Sequence, residues 1–97
     1  MNVIPTGPTF TASLTTGNPL AQTIRVNMTA DCRWQVQNVF NTTWIRVAPN
    51  AGSGDGFFSL SVNIYDSSVV LGVQTAVLFV DSINPAITMV VTLVVLP

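Results

Sequence analysis

Residues 57–65 read FFSLSVNIY, and this stretch decides the fold class. Phe58, Leu60, Val62 and Ile64 fall on one side of an extended chain, while serine, asparagine and the other two aromatic residues fall on the opposite side. A period of two is typical of a strand with one buried face, whereas a helix repeats apolar residues every three to four positions. The stretch therefore predicts a β-strand.

The same alternation recurs on both sides of this strand. It predicts further strands over 9–14, 21–29, 34–37, 44–47, 73–80 and 87–96, with a Gly-rich loop over 48–56 and a turn over 81–85. Turn signals every 8–12 residues without a helical period are typical of a β-sandwich. We expect an all-β, antiparallel immunoglobulin-like β-sandwich of six to seven strands, with a small barrel as the alternative.

The chain of 97 residues is expected to form a single domain. Residues 1–20 are rich in proline, threonine and glycine, and predict an arm with at most one edge strand, because proline is confined to sheet edges and strand ends. Residues 21–97 then form the sandwich. The apolar run over 87–96 is too short to cross a membrane as a helix, and no signal peptide is recognisable at the start of the chain.

Charge is scarce, and this scarcity excludes several functions. Three arginines and four aspartates are the only charged residues, and lysine, glutamate and histidine are absent. No histidine or lysine is therefore available to activate a serine or the lone Cys32, and the aspartates show no catalytic spacing, so we expect no enzyme activity. Scattered arginines do not favour nucleic acid or an anionic membrane as partner. A single Asp55 in the Gly-rich loop is too little for calcium, so no metal or cofactor is expected.

The last two strands are apolar on both faces, and a single core cannot bury both of them. In an antiparallel sandwich the outer face normally meets water and is polar. Large exposed apolar patches mark interfaces. We therefore expect an interface with another protein subunit, formed by outward residues of the last strand and of the strand over 57–65: Phe57, Tyr65, Val90, Val94 and Leu96. The alternative is an unusually apolar face that stays in contact with water.

The middle of the chain resembles the BACON domain, an immunoglobulin-like module of Bacteroidetes and some phages. The resemblance rests on Trp34-x-Val36, Trp44-Ile45-x-Val47, Pro49-x-x-Gly52-x-Gly54 and the alternating strand that ends at Asn63, and it covers about residues 21–96. It implies an immunoglobulin-like fold and a role in carbohydrate binding beside glycoside hydrolases, or in spacing. It brings no established binding residues to this chain.

Two functions remain open at this point. The first is a non-catalytic structural subunit of a larger assembly, such as a phage capsid decoration or tail protein at the virion surface. The second is a carbohydrate-binding or spacer module of a secreted bacterial protein. Indole rings suit the apolar faces of sugars. Trp34 is expected in the core, whereas Trp44 with Arg46 is the candidate for glycan stacking.

Overall fold

The computed structural model describes residues 2–28, 32–82 and 86–97, and within these ranges it contains two β-sheets and no helix. Nine strands make up the sheets: β1 Asn2–Ile4, β2 Thr9–Ser13, β3 Gln22–Asn27, β4 Arg33–Asn38, β5 Ile45–Ala48, β6 Ala51–Ser53, β7 Gly56–Val62, β8 Gly72–Asp81 and β9 Ile87–Leu96. The four-stranded sheet has the order β1-β3-β7-β5, and the five-stranded sheet has the order β2-β9-β8-β4-β6. Two separate sheets make a sandwich rather than a barrel.

The four-stranded sheet is built around β3 and β7. These strands run antiparallel, with Ile24 opposite Phe58 and both side chains fully buried. The short strands β1 and β5 pair with β3 and β7 at the two edges. In both central strands the alternate apolar side chains point into the core, as predicted, and the outward side chains include Thr23, Arg25, Phe57, Ser59 and Ser61.

The five-stranded sheet is built around the long β8–β9 hairpin. The two strands pair antiparallel from Gly72 opposite Val95 to Val80 opposite Ile87. On the far side of β8 lies β4, followed by β6. On the far side of β9 lies β2, which runs parallel to it, with Thr9 beside Thr92 and Ser13 beside Leu96. Among the nine strands of the described residues, this is the one parallel pairing.

The core lies between the two inner faces. Residues predicted to point inward from the stretch 57–65 and from β9 are buried: Phe58, Leu60, Val62, Ile64, Met89, Val91, Leu93 and Val95. Trp34 is also buried, as expected, and its ring centroid lies 5.9 Å from that of Phe58. One inter-sheet hydrogen bond adds to this packing, because Gln22 Nε2 of β3 donates to the Thr9 carbonyl of β2 at 2.8 Å.

The prediction of six to seven strands was too low, because β1 and β6 were missed. Three residues are too few to show a period, and β6 lies inside the stretch that its glycines mark as a loop. The prediction of at most one strand in residues 1–20 is also wrong, since β1 and β2 add one strand to each sheet. The predicted turn over 81–85 lies largely outside the described residues, and Asp81 itself ends β8.

Candidate interaction surface

The outer face of the five-stranded sheet carries a row of apolar side chains that no other part of the described chain covers. Alternation places them outward from β8 and β9, in register as Val73 beside Val94 and Val77 beside Val90. Phe79 and Leu96 extend the row at its two ends. We call the following six residues the valine face: Val73, Val77, Phe79, Val90, Val94 and Leu96.

The valine face is substantially exposed to solvent. Val73 is 68% exposed, Val90 44% and Leu96 48%, while the other three side chains are half-buried. Threonines separate and flank the valines: Thr75 lies opposite Thr92, and Thr9 of β2 lies beside Thr92 on the other side. No outward position on β2 or β9 holds a charged residue. The charged outward side chains of this sheet, Asp81 on β8 and Arg33 on β4, lie at one of its ends.

The structure separates the five residues predicted to form one interface. Val90, Val94 and Leu96 share the valine face, but Phe57 lies on β7 in the other sheet, beside Arg25 of β3. Phe57 is 63% exposed, on the opposite side of the sandwich. Tyr65 follows β7 in a turn, near Gly17. The prediction that Phe57 joins the β9 surface is therefore wrong, because alternation distinguishes inward from outward side chains but does not show which sheet a strand joins.

Trp34 explains why the segment 49–56 is rich in glycine. Its indole Nε1 donates to the Gly54 carbonyl at 3.1 Å. A Cβ built on Gly52 would lie 2.7 Å from Cε2 of the ring, and one on Gly56 would lie 3.2 Å from Cζ2. Only glycine lets the backbone approach an aromatic ring so closely. Gly52 and Gly56 thus give a core tryptophan the space it needs, and Gly54 provides its hydrogen-bond acceptor.

Trp44 and Arg46, the candidate glycan-stacking pair, line one shallow depression together with Asn18 and Asn63, of about 420 Å³. Arg46 is exposed on the outer side of β5, but Trp44 is only 5% exposed. A ring buried to this extent offers no face on which a sugar could stack. The stacking role expected for Trp44 is therefore not supported by its position, although the two residues do lie together.

Asp66 organises the end of the sandwich near this depression. Its Oδ1 accepts hydrogen bonds from Ser68 Oγ at 2.6 Å, from the Ser68 backbone N–H at 3.0 Å and from Thr43 Oγ1 at 3.0 Å. These donors favour the ionised carboxylate, so the Ser68 hydroxyl, the Ser68 backbone N–H and then Thr43 lower the pKa of Asp66 below its ordinary 3.8. The cluster ties two loops together and has the geometry of a turn cap.

Other features point to no built ligand site. A second shallow depression of about 400 Å³ lies at the β4–β6 edge, where Arg33, Gln35, Asp81 and Ser82 line it. Across 2–28, 32–82 and 86–97, no group of three or more His, Cys, Asp or Glu side chains could hold a metal ion. Cys32 is a half-buried free thiol. In the same ranges, no helix is long and apolar enough to span a membrane.

Solved structures share this architecture. No protein-family model and no curated protein matches the chain. A Bacteroides ovatus GH5 xyloglucanase in complex with a XXXG heptasaccharide superposes with a TM-score of 0.75 at 19% identity, over 98% of this chain and 19% of that one. SSP-19, an MSP-domain protein like family member of Caenorhabditis elegans, gives 0.62 at 13% identity, over 97% and 99%. The periplasmic chaperone SfaE gives 0.59 at 10%, over 99% and 57%.

These similarities show the fold. The MSP-domain protein and the chaperone are immunoglobulin-like β-sandwiches, so the predicted fold class is confirmed. The chain spans about one fifth of the xyloglucanase chain, which contains much more than this module. At identities of 10–19%, the similarity carries no residue role and no activity to the chain.

Proposed function

We propose that this chain is a non-catalytic structural module that packs against a neighbouring protein subunit through the valine face, as a capsid decoration or tail protein does at a virion surface. The observation that carries the proposal is the uncharged, half-exposed apolar face on β8 and β9. Solvated outer faces of antiparallel sheets are normally polar, and contiguous apolar patches on soluble domains mark interfaces.

The contrast between the two outer faces supports this choice of surface. The outer face of the four-stranded sheet carries Arg25, Arg46 and Ser59 among its outward residues. That face is typical of a surface in contact with water, where Phe57 is a single exposed aromatic residue. The valine face has six apolar side chains on two paired strands, interrupted by the pair Thr75–Thr92. Burying them against another subunit removes apolar area from water, which is the main driving term of association.

Co-expression with the proteins encoded by the genes that flank this chain's own gene tests the proposal. A flanking-gene product that packs on the valine face should co-elute with the chain in gel filtration. Val90→Lys should abolish co-elution, because a lysine ammonium would be desolvated at the centre of the contact. Phe57→Lys is the matched control on the opposite face and should leave the complex intact. A complex that Phe57→Lys abolishes and Val90→Lys spares would contradict the proposal.

A second candidate function is a carbohydrate-binding or spacer module at the cell surface or outside the cell. It is favoured by the similarity to part of a xyloglucanase that was solved with a XXXG heptasaccharide, and by the depression that holds Arg46, Asn18 and Asn63. Titration with that heptasaccharide, followed by calorimetry, tests the binding version. Saturable binding by the parent chain that Arg46→Ala weakens would favour this function, and absence of binding would leave only the spacer version.

A further inference from the structure

The size of the valine face sets the scale of any contact it makes. Strands β8 and β9 pair over nine residue pairs, and β2 and β4 flank them. Strand β2 pairs with β9 over five residues, and β4 pairs with β8 over four. At about 3.3 Å per residue and about 4.8 Å per strand, the paired residues of this sheet cover roughly 430 Å². Two such faces in contact would bury about 860 Å² in total, which lies at the low end of specific interfaces and predicts a weak, reversible dimer.

The valine face carries no charged side chain, and this determines which partner surfaces are complementary to it. Outward residues of β2 and β9 are uncharged, and so are those of β8 from Val73 to Phe79. A charged partner would leave its own charges buried and unpaired there, at a large desolvation cost. An uncharged, apolar β-face of equal size has no such cost. A second copy of this chain provides that face.

The side chains on the valine face are also suited to tight face-to-face packing. Valine rows alternate with a threonine row, in the order Val73–Val94, Thr75–Thr92 and Val77–Val90 across the hairpin. Valine and threonine have few χ1 rotamers, so ordering them in a contact costs little side-chain entropy. Twisted sheets pack face to face with strands about 30° apart, as the two sheets of a sandwich do.

We infer that two copies of this chain associate through their valine faces into a two-fold symmetric dimer, in which β8 and β9 of each copy pack on β8 and β9 of the other. This inference rests on the proposed function only in assigning the valine face as the docking surface, and it adds the identity of the partner. An isologous contact of this kind closes on itself, so it gives a dimer and not an open filament.

Light scattering across a dilution series tests the inference. We expect the parent chain to have twice the 10.3 kDa of one chain and to dissociate only on dilution. Val90→Lys should raise the dissociation constant at least about tenfold, whereas Val90→Thr, which keeps the shape and β-propensity of the residue, should raise it less. Phe57→Lys should leave the dissociation constant unchanged. Fluorescence of the buried Trp34 and Trp44 reports whether each variant is folded.

A chain that stays at 10.3 kDa at every concentration would overturn the dimer. So would a dimer that the folded Val90→Lys variant leaves intact. Failure of the dimer is distinguishable from failure of the proposed function: a monomer that forms a Val90-dependent complex with a flanking gene product refutes only the second copy as partner. A dimer that depends on Phe57 and not on Val90 refutes the docking surface itself.

Discussion

Gly52→Ala should be among the most destabilising single-methyl substitutions in this chain, because the new methyl group has no room. A Cβ at this position would overlap Cζ2 of Trp34 and lie 2.7 Å from Cε2. The ring cannot simply move aside, since it is buried and its Nε1 donates to the Gly54 carbonyl. Overpacking a core costs about 1–3 kcal/mol, and an indole N–H left buried without a partner costs a similar amount. We expect a loss of about 2–4 kcal/mol in the free energy of unfolding.

Urea denaturation followed by tryptophan fluorescence measures this loss, and thermal unfolding should show it as a fall in Tm of about 4–8 °C per kcal/mol. Two glycines serve as controls. Gly56→Ala should cost less, because its Cβ would lie 3.2 Å from Trp34 Cζ2. Gly7→Ala should stay within about 0.5 kcal/mol of the parent, because its nearest neighbour would be the Val90 carbonyl at 3.9 Å.

A double-mutant cycle separates this cause from a general loss of strand stability. If the methyl group acts by displacing the indole, then Trp34→Phe should relieve part of the cost of Gly52→Ala, and the two changes together should cost at least about 0.5 kcal/mol less than their sum. The reasoning is refuted if Gly52→Ala costs less than about 0.5 kcal/mol, if Gly56→Ala costs more, or if the two changes are additive.

Two further predictions concern the loops and the core. Asp66→Asn should lower stability at neutral pH. Because the folded chain holds the pKa of Asp66 below 3.8, the ionised carboxylate stabilises the fold above that pH; the gap between parent and variant should begin to narrow below 3.8 and close only as the pH falls through the lower pKa of the folded chain. Urea midpoints measured from pH 7 down to about pH 2 follow this gap, and a constant gap would exclude this role. Leu93→Ala should cost about 2–5 kcal/mol, since Leu93 is fully buried, whereas Leu20→Ala, at a 90% exposed position, should stay within about 0.5 kcal/mol; chemical denaturation compares them, and equal costs would contradict the core assignment.

Alternation in the sequence was sufficient to predict seven of the strands and most of their buried residues. The reason is physical: a period of two gives each side chain a face, and burial on that face is what the pattern reflects. Trp44 is an exception to this alternation. Both Trp44 and Ile45 are buried, although they are adjacent, because Trp44 lies in the turn before β5 and not in the strand.

Long-range pairing was not predictable from these patterns. Phe57 was assigned outward correctly, but its sheet depends on β7 pairing with β3 and β5, which no local signal encodes. The parallel pairing of β2 with β9 joins the two ends of the chain and was missed for the same reason. β6 did leave a signal. Gly52 and Gly56 are positions at which a bulky side chain, Trp34, approaches the backbone closely, and glycine within or beside a strand is a known sign of such an approach.

The parallel alignment of β2 with β9 also fixes the direction in which the polypeptide travels. Asn2 lies level with Asn27, at the opposite end of the sandwich from Leu96, which lies level with Ser13. The described residues extend 45 Å along their long axis. Domains joined at both termini would therefore be held apart by a stiff strut close to that length.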